Sequence, residues 1–171
     1  MFESEYNEKE KIVLLNRYVQ LLVQKELPDV VIITVPGAAN TFNEQFTNGF
    51  GILAYETFQA VTPDYLLFST FYETNNVTEL LKYINLSCKY KFGREVDYFH
   101  MSNTYIDILE STQKDEVVLN NVTREMVMNT VREIRSKALV PLANMMDTLE
   151  MDKVYQNILD TLSNNVSAAT L

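Results

Sequence analysis

Several residue types are scarce in this chain, and each scarcity excludes a class of protein. Its 171 residues contain one cysteine, Cys88, which excludes an internal disulfide and any zinc or iron–sulfur site built from a cysteine cluster. Four glycines and four prolines leave no room for a long flexible linker. No apolar run approaches the roughly 20 residues that span a bilayer. The sequence therefore predicts neither a disulfide scaffold nor a membrane-spanning protein.

Positive charge is also scarce. Lys and Arg number 14 against 23 Asp and Glu, which gives a formal net charge of −9. Because binding to nucleic acid and to anionic membranes depends on clustered cations, we expect no nucleic-acid partner and no membrane partner. The N-terminal residues, MFESEYNEKEK, are acidic and polar, unlike a secretion signal. We therefore expect a cytoplasmic protein.

What the chain does contain is an alternation of helical and strand-like patterns. Hydrophobic residues make up 47% of it, which is typical of a globular protein, and its length fits a single α/β domain over residues 1–171. Apolar residues at helical spacing predict a helix over 8–27. Continuous apolar runs predict buried strands, which are typical of a parallel sheet. These runs are Val30–Val35, Tyr65–Tyr72 and Val96–Met101.

Two shorter segments, Val117–Leu119 and the edge-type run Ala138–Ala143, predict further strands. Strands separated by helix-length segments indicate right-handed βαβ units. We therefore expect a mostly parallel sheet of about four to five strands with helices on both faces, a Rossmann-like three-layer arrangement. Asn or Asp with Glu three residues later predicts helix starts at Asn7, Asn76 and Asp147.

The loops that follow the predicted strands are the places where a ligand would bind, because open α/β sheets bind ligands at the carboxyl edge. These loops are Pro36–Gly49, Glu73–Asn76 and Ser102–Asp107. The first is long and rich in side-chain amides, and Thr47 or Asn48 would cap the helix after it.

A ligand or partner pocket at this edge would have Gly37 as its floor. Its lining residues would be Asn43, Asn48, Glu73 and Asn103. The alternative is an ordered connection whose amides bond their own backbone.

A nucleotide site is not predicted, and no cofactor is expected. The chain lacks both the Walker-type and the dinucleotide-type glycine motifs, and no Lys or Arg occurs between Leu27 and Leu81. No catalytic residue and no metal ligand is assigned. The lone histidine, His100, can be read as a general base near Asp107 or as a buried strand residue. Cys88 falls on an apolar helix stripe, which favours a core thiol.

One long stretch resembles a known family. PDVVIITVPGAANTFNEQFTNGFGILAYETFQAVTPDYLLFSTFY is similar to the most recognisable part of a bacterial family of peptide maturation system accessory proteins. Its members are encoded beside radical-SAM enzymes and small ribosomal precursor peptides. The likeness continues more loosely to about residue 165. The chain departs from the family at Ala38, where members often have a second glycine.

The resemblance implies a non-catalytic accessory protein that binds a precursor peptide or the modifying enzyme. Typical members are longer, which implies that this chain is a fragment or a free-standing C-terminal domain. The alternative is an enzyme or a nucleotide-dependent switch whose phosphate or cofactor site lies in a missing N-terminal half. The resemblance assigns no catalytic residue, and the oligomeric state stays open.

Overall fold

The computed structural model describes residues 6–41, 44–135, 137 and 141–169. The chain forms two compact units, Met1–Pro63 and Asp64–Leu171. The single α/β domain over residues 1–171 stays a prediction. Among the described helices, none has the length and apolar content needed to cross a membrane.

The first unit consists of two helices and the segment between them. Helix α1 covers Glu8–Glu26, and a short 3₁₀ turn at Asn48–Gly51 leads into helix α2, Ile52–Ala60. The predicted start of α1 is confirmed. The Asn7 side chain accepts a bond from the backbone N–H of Glu10 at 3.0 Å, and the Glu10 carboxylate accepts one from the N–H of Asn7 at 2.9 Å. This reciprocal pair satisfies two N–H groups that the first helical turn otherwise leaves unbonded.

The predicted strand Val30–Val35 is not formed. These residues belong to no helix or strand, and the side chains of Val30, Val31, Ile32 and Ile33 are between 38% and 85% exposed. A β-branched run favours a strand only when neighbouring strands supply hydrogen bonds and a surface to pack against. The expectation that this run is a buried strand is therefore wrong.

The second unit contains the sheet. Its elements follow one another along the chain as β1 (Leu67–Thr70), α3 (Val77–Phe92), β2 (Tyr98–Met101), β3 (Thr104–Ile106), α4 (Ile108–Lys114), β4 (Leu119–Asn121), α5 (Arg124–Arg135), β5 (Leu142–Ala143) and α6 (Thr148–Ala169).

Three of these strands form a small parallel sheet in the order β1–β2–β5. Phe68, Phe99 and Leu142 lie side by side across it. The adjacency and parallel direction of the second and third predicted strands are thus confirmed. The predicted edge strand Ala138–Ala143 is confirmed at Leu142–Ala143, and its residues 138–140 lie outside the described residues. The described fold is mixed α/β, with three parallel strands in this sheet.

A second, two-stranded sheet pairs β3 with β4 in antiparallel fashion. β3 begins at Thr104, inside the segment 102–107 that the sequence predicts as a loop, so that part of the prediction is wrong. Its residues gain strand structure because β4 supplies the hydrogen-bonding partner, as in the pair Tyr105 and Asn120.

The core of the second unit lies around β2, the central strand. Phe99 and Met101 are fully buried, and Tyr98 packs in a cluster with Ala143 and with Val154 of α6. Cys88 lies on an apolar stripe of α3, as predicted. Val77, Leu81 and Ile84 are buried together with it, whereas Leu80 is 37% exposed. Gly93 ends α3 at a φ of 74°, the left-handed conformation that favours glycine.

Candidate functional site

The predicted Pro36–Gly49 loop borders a surface cleft in the first unit. Gly37, the predicted floor of the pocket, has a φ of 87° and contributes to this cleft of about 400 Å³. The lining residues are Glu8, Lys11, Pro36, Gly37, Ala38, Gly49, Gly51, Ile52, Leu53 and Glu56. The cleft therefore has an apolar, glycine-rich wall and three charged side chains at its border.

Two predicted residues of this loop cannot be placed as ligand groups. Asn43 lies outside the described residues, and only the backbone of Asn48 is described. The predicted cap at Thr47 is wrong, since its side chain makes no cap bond and the residue before α2 is Gly51. Gly51 takes this position because its φ of 74° is left-handed and because a Cβ there would overlap the Ala39 carbonyl.

Glu73 lies in the second unit, in the loop after β1. One oxygen of its carboxylate accepts bonds from the backbone N–H groups of Thr74, at 2.7 Å, and Asn75, at 2.9 Å. Such bonds are the local role that polar loop residues commonly have. Asn76 does not cap α3 through its side chain, because its own backbone is left-handed with a φ of 52°.

Asn103 follows β2 and belongs to a network at the carboxyl edge of the parallel sheet. Its side-chain oxygen accepts a bond of 2.7 Å from the amide of Asn144, a fully buried residue. The same Asn144 amide donates to the Met101 carbonyl at 3.1 Å, and the Asn144 oxygen accepts from the N–H of Met146 at 2.9 Å. The amides thus join the ends of β2 and β5.

His100 lies one residue before the end of β2. Its Nδ1 accepts a bond of 3.1 Å from the backbone N–H of Met145, so Nε2 carries the proton of the neutral ring. Burial lowers the pKa of His100. The ring is half-buried, and this arrangement agrees with a structural role for the histidine in the strand. Cys88 is likewise confirmed as a core thiol, because it is fully buried and burial raises its pKa to about 11.

A buried carboxylate of the second unit is held in ion pairs. Glu150 contacts the guanidinium of Arg135 and accepts a bond from Lys153 Nζ at 2.7 Å. Burial by itself would raise the pKa of Glu150, but the bonds from Lys153 and Arg135 lower it overall. The carboxylate therefore stays ionised and ties α5 to α6.

A second surface groove of the first unit runs between α1 and the end of α2, with a volume of about 530 Å³. Asn16 of α1 donates to the Ala60 carbonyl at 2.7 Å and so fastens the two helices together. The groove is lined by Asn16, Val19, Gln20, Val23, Gln24, Gln59, Ala60, Val61 and Thr62. No charged residue is among them, and three of them are glutamines.

Helix α1 has apolar residues on two faces. Five apolar residues at helical spacing predict this helix, and four of them are half-buried: Ile12, Leu15, Val19 and Leu22. The fifth, Val23, is 40% exposed, and no residue of α1 is fully buried. Leu14, Tyr18 and Leu21 lie on the neighbouring face and are 45%, 64% and 64% exposed. Together these three residues form the outer stripe of α1.

The sequence analysis missed both the outer stripe and the amides of the groove. Each had a signal in the sequence. Positions 14, 18 and 21 follow the i, i+4, i+7 spacing of a helix face, and Asn16, Gln20 and Gln24 follow the i, i+4, i+8 spacing.

The residues predicted to form one pocket belong to separate units, with Gly37 and Asn48 in the first and Glu73 and Asn103 in the second. Their shared role stays a prediction. In comparisons with known proteins, no family model, no curated protein and no solved structure matches this chain.

Proposed function

We propose that this chain is an accessory protein in the maturation of a ribosomally synthesised peptide and that it binds the precursor peptide through its first unit. The observation that carries the proposal is the outer stripe of α1. A helix of a single soluble unit usually directs its apolar residues to one side. Here Leu14, Tyr18 and Leu21 are exposed on the side that does not face α2.

The outer stripe is large enough to contribute to binding. Full burial of a side chain of this size is worth about 2 kcal/mol, so each half-exposed residue would contribute about 1 kcal/mol when a partner covers it. Three residues give about 3 kcal/mol, which is roughly a hundredfold in affinity. The stripe alone would therefore strengthen a complex without determining all of its affinity.

A peptide fits this region better than the modifying enzyme does. The groove between α1 and the end of α2, on another side of the same helix, has a volume of about 530 Å³, the scale of a short segment or small ligand. A stable interface between two folded proteins needs about 800 Å² from each partner. The family resemblance supports the same function, since its members are encoded beside precursor peptides.

The finer fold prediction is also a proposal: a mostly parallel sheet of about four to five strands with helices on both faces, in a Rossmann-like arrangement. The three parallel strands β1–β2–β5 of the second unit support it. An experimental structure of the chain with its partner that keeps only these three parallel strands would refute it.

The test of function uses the precursor peptide encoded beside the gene. Leu14→Gln with Leu21→Gln removes about 2 kcal/mol of apolar contact, so we expect capture of the peptide by the full chain to weaken roughly thirtyfold. Leu109→Gln is the matched control, because Leu109 is 73% exposed on α4 of the second unit.

All three substitutions lie at exposed positions, so the melting temperatures should stay close to that of the original chain. Undiminished capture by the folded double variant would refute the role of the outer stripe. Capture of the modifying enzyme and not of the peptide would refute the choice of partner.

A further inference from the structure

We infer that the groove between α1 and the end of α2 binds an uncharged, extended segment of peptide through the backbone of that segment, an inference that rests on the proposed function. Gln20 and Gln24 of α1 and Gln59 of α2 are the side chains that would contact it.

The residues that line the groove are uncharged and favour an uncharged ligand. The chain is 22% charged, yet the nine residues of the groove include no Asp, Glu, Lys or Arg. Each glutamine amide can donate and accept hydrogen bonds, as a peptide group does. A charged ligand side chain would lose hydration in this groove without gaining an opposite charge. The lining therefore favours uncharged segments.

The spacing of the side-chain amides on α1 matches the repeat of an extended peptide. Asn16, Gln20 and Gln24 are four residues apart on α1, which places successive amides about 6 Å apart along the helix. An extended peptide presents a backbone group on the same side every second residue, about 6.6 to 6.8 Å apart. A peptide that lies along α1 can thus meet one amide of the row at every second residue.

Two valines of the groove favour small apolar side chains in the bound segment. Val19 and Val23 are also four residues apart and lie beside the amide row in the same groove. Side chains of an extended peptide alternate in direction, so every second one can lie against a valine while the backbone meets a glutamine. The preferred segment is therefore about four residues long with small apolar residues at alternate positions.

Asn16 has a positioning role in this arrangement. Its amide is 2.7 Å from the Ala60 carbonyl, so it holds the end of α2 beside α1 and leaves ligand contact to Gln20 and Gln24. Both glutamines are exposed. Their replacement by alanine removes the amides and keeps good helix-forming residues, so the variant chain is expected to fold.

The test is fluorescence anisotropy with the full chain and a labelled, acetylated and amidated peptide of eight alternating valine and serine residues. We expect saturable binding that Gln20→Ala with Gln24→Ala weakens at least tenfold. Gln20→Glu with Gln24→Glu keeps the side-chain size, removes the donors and should weaken binding as much. Gln156→Ala, at an exposed position of α6, is the matched control and should bind normally.

A second peptide with glutamates in place of two central valines, and a third with lysines there, test the preference for uncharged ligands. We expect both to bind at least tenfold more weakly. Equal binding of the charged peptides, full binding by the folded alanine variant, or no binding of the valine–serine peptide at millimolar concentration would each overturn the inference. If the precursor peptide is still captured through the outer stripe, the proposed function stands and only the assignment of the groove fails.

Discussion

Replacement of Asn144 by alanine should destabilise the second unit more than any surface substitution of the same kind. The side chain is fully buried and takes part in three hydrogen bonds, with the Met101 carbonyl, the Asn103 oxygen and the Met146 N–H. Its removal leaves two acceptors and one donor without this partner.

The expected loss follows from those three bonds. A hydrogen bond in a folded protein contributes about 1 kcal/mol net, and a buried group that loses its partner costs about 1 to 3 kcal/mol. We expect the free energy of unfolding to fall by about 3 kcal/mol. For a chain of this length that corresponds to a lower melting temperature by roughly 6 to 12 °C. Asn144→Asp keeps the acceptor for Met146, but it loses both donors and places a carboxylate against two oxygens. Its loss should be at least as large.

The assay is urea unfolding of the full chain, followed by circular dichroism. Asn129→Ala is the control, because Asn129 is exposed on α5 and only accepts a long bond of 3.5 Å from Arg132; its effect should stay within about 0.5 kcal/mol. A loss below about 1 kcal/mol for Asn144→Ala would refute the reasoning. It would show that water or a rearranged loop replaces the bonds at the sheet edge.

Two further predictions concern backbone conformation and pH. Gly51→Ala should lower the melting temperature of the first unit more than Gly49→Ala, because both have a positive φ but only at Gly51 would the new Cβ overlap the Ala39 carbonyl; equal melting curves would contradict this. Burial lowers the pKa of His100 below its ordinary value of 6.5. The neutral ring therefore makes its full contribution to the free energy of unfolding above pH 6.5. That contribution is lost as the pH falls toward the lowered pKa, because the unfolded chain then binds a proton that the folded chain does not. Urea unfolding at pH 7.5 and pH 5 should show this loss in the original chain and a smaller loss in His100→Gln. Equal losses in the two chains would count against a half-buried, neutral ring.

The sequence predicted best those features that depend on neighbours within a few residues. The capping pair of Asn7 and Glu10 is confirmed because both bonds span three residues. The end of α3 at Gly93 depends on that residue alone, because a residue without a Cβ readily takes the left-handed conformation. The apolar runs around Phe68 and Phe99 were recognisable as strands because continuous apolar content is typical of a sheet buried on both faces.

Local rules failed where a neighbouring element changed the result. Val30–Val35 has the composition of a strand, but a strand requires a partner, and the described residues supply none to it. The cap expected from Asn76 is absent because its backbone turns left-handed before α3. The missing strand and the missing cap both depend on the conformation of neighbouring parts of the chain. The spacing of residue types in the sequence does not contain that information.

The candidate site also has features that the sequence determined and features that only the tertiary structure decided. The sequence by itself determined that the segment between Leu27 and Leu81 offers side-chain amides and no cation, because it contains Asn and Gln but no Lys or Arg. Only the tertiary structure decided which amides are occupied. Asn103 is bonded to Asn144, which is 41 residues away, whereas Gln20 and Gln24 line an open groove. Bonds across such separations depend on how the elements pack, and no local pattern of residues records that packing.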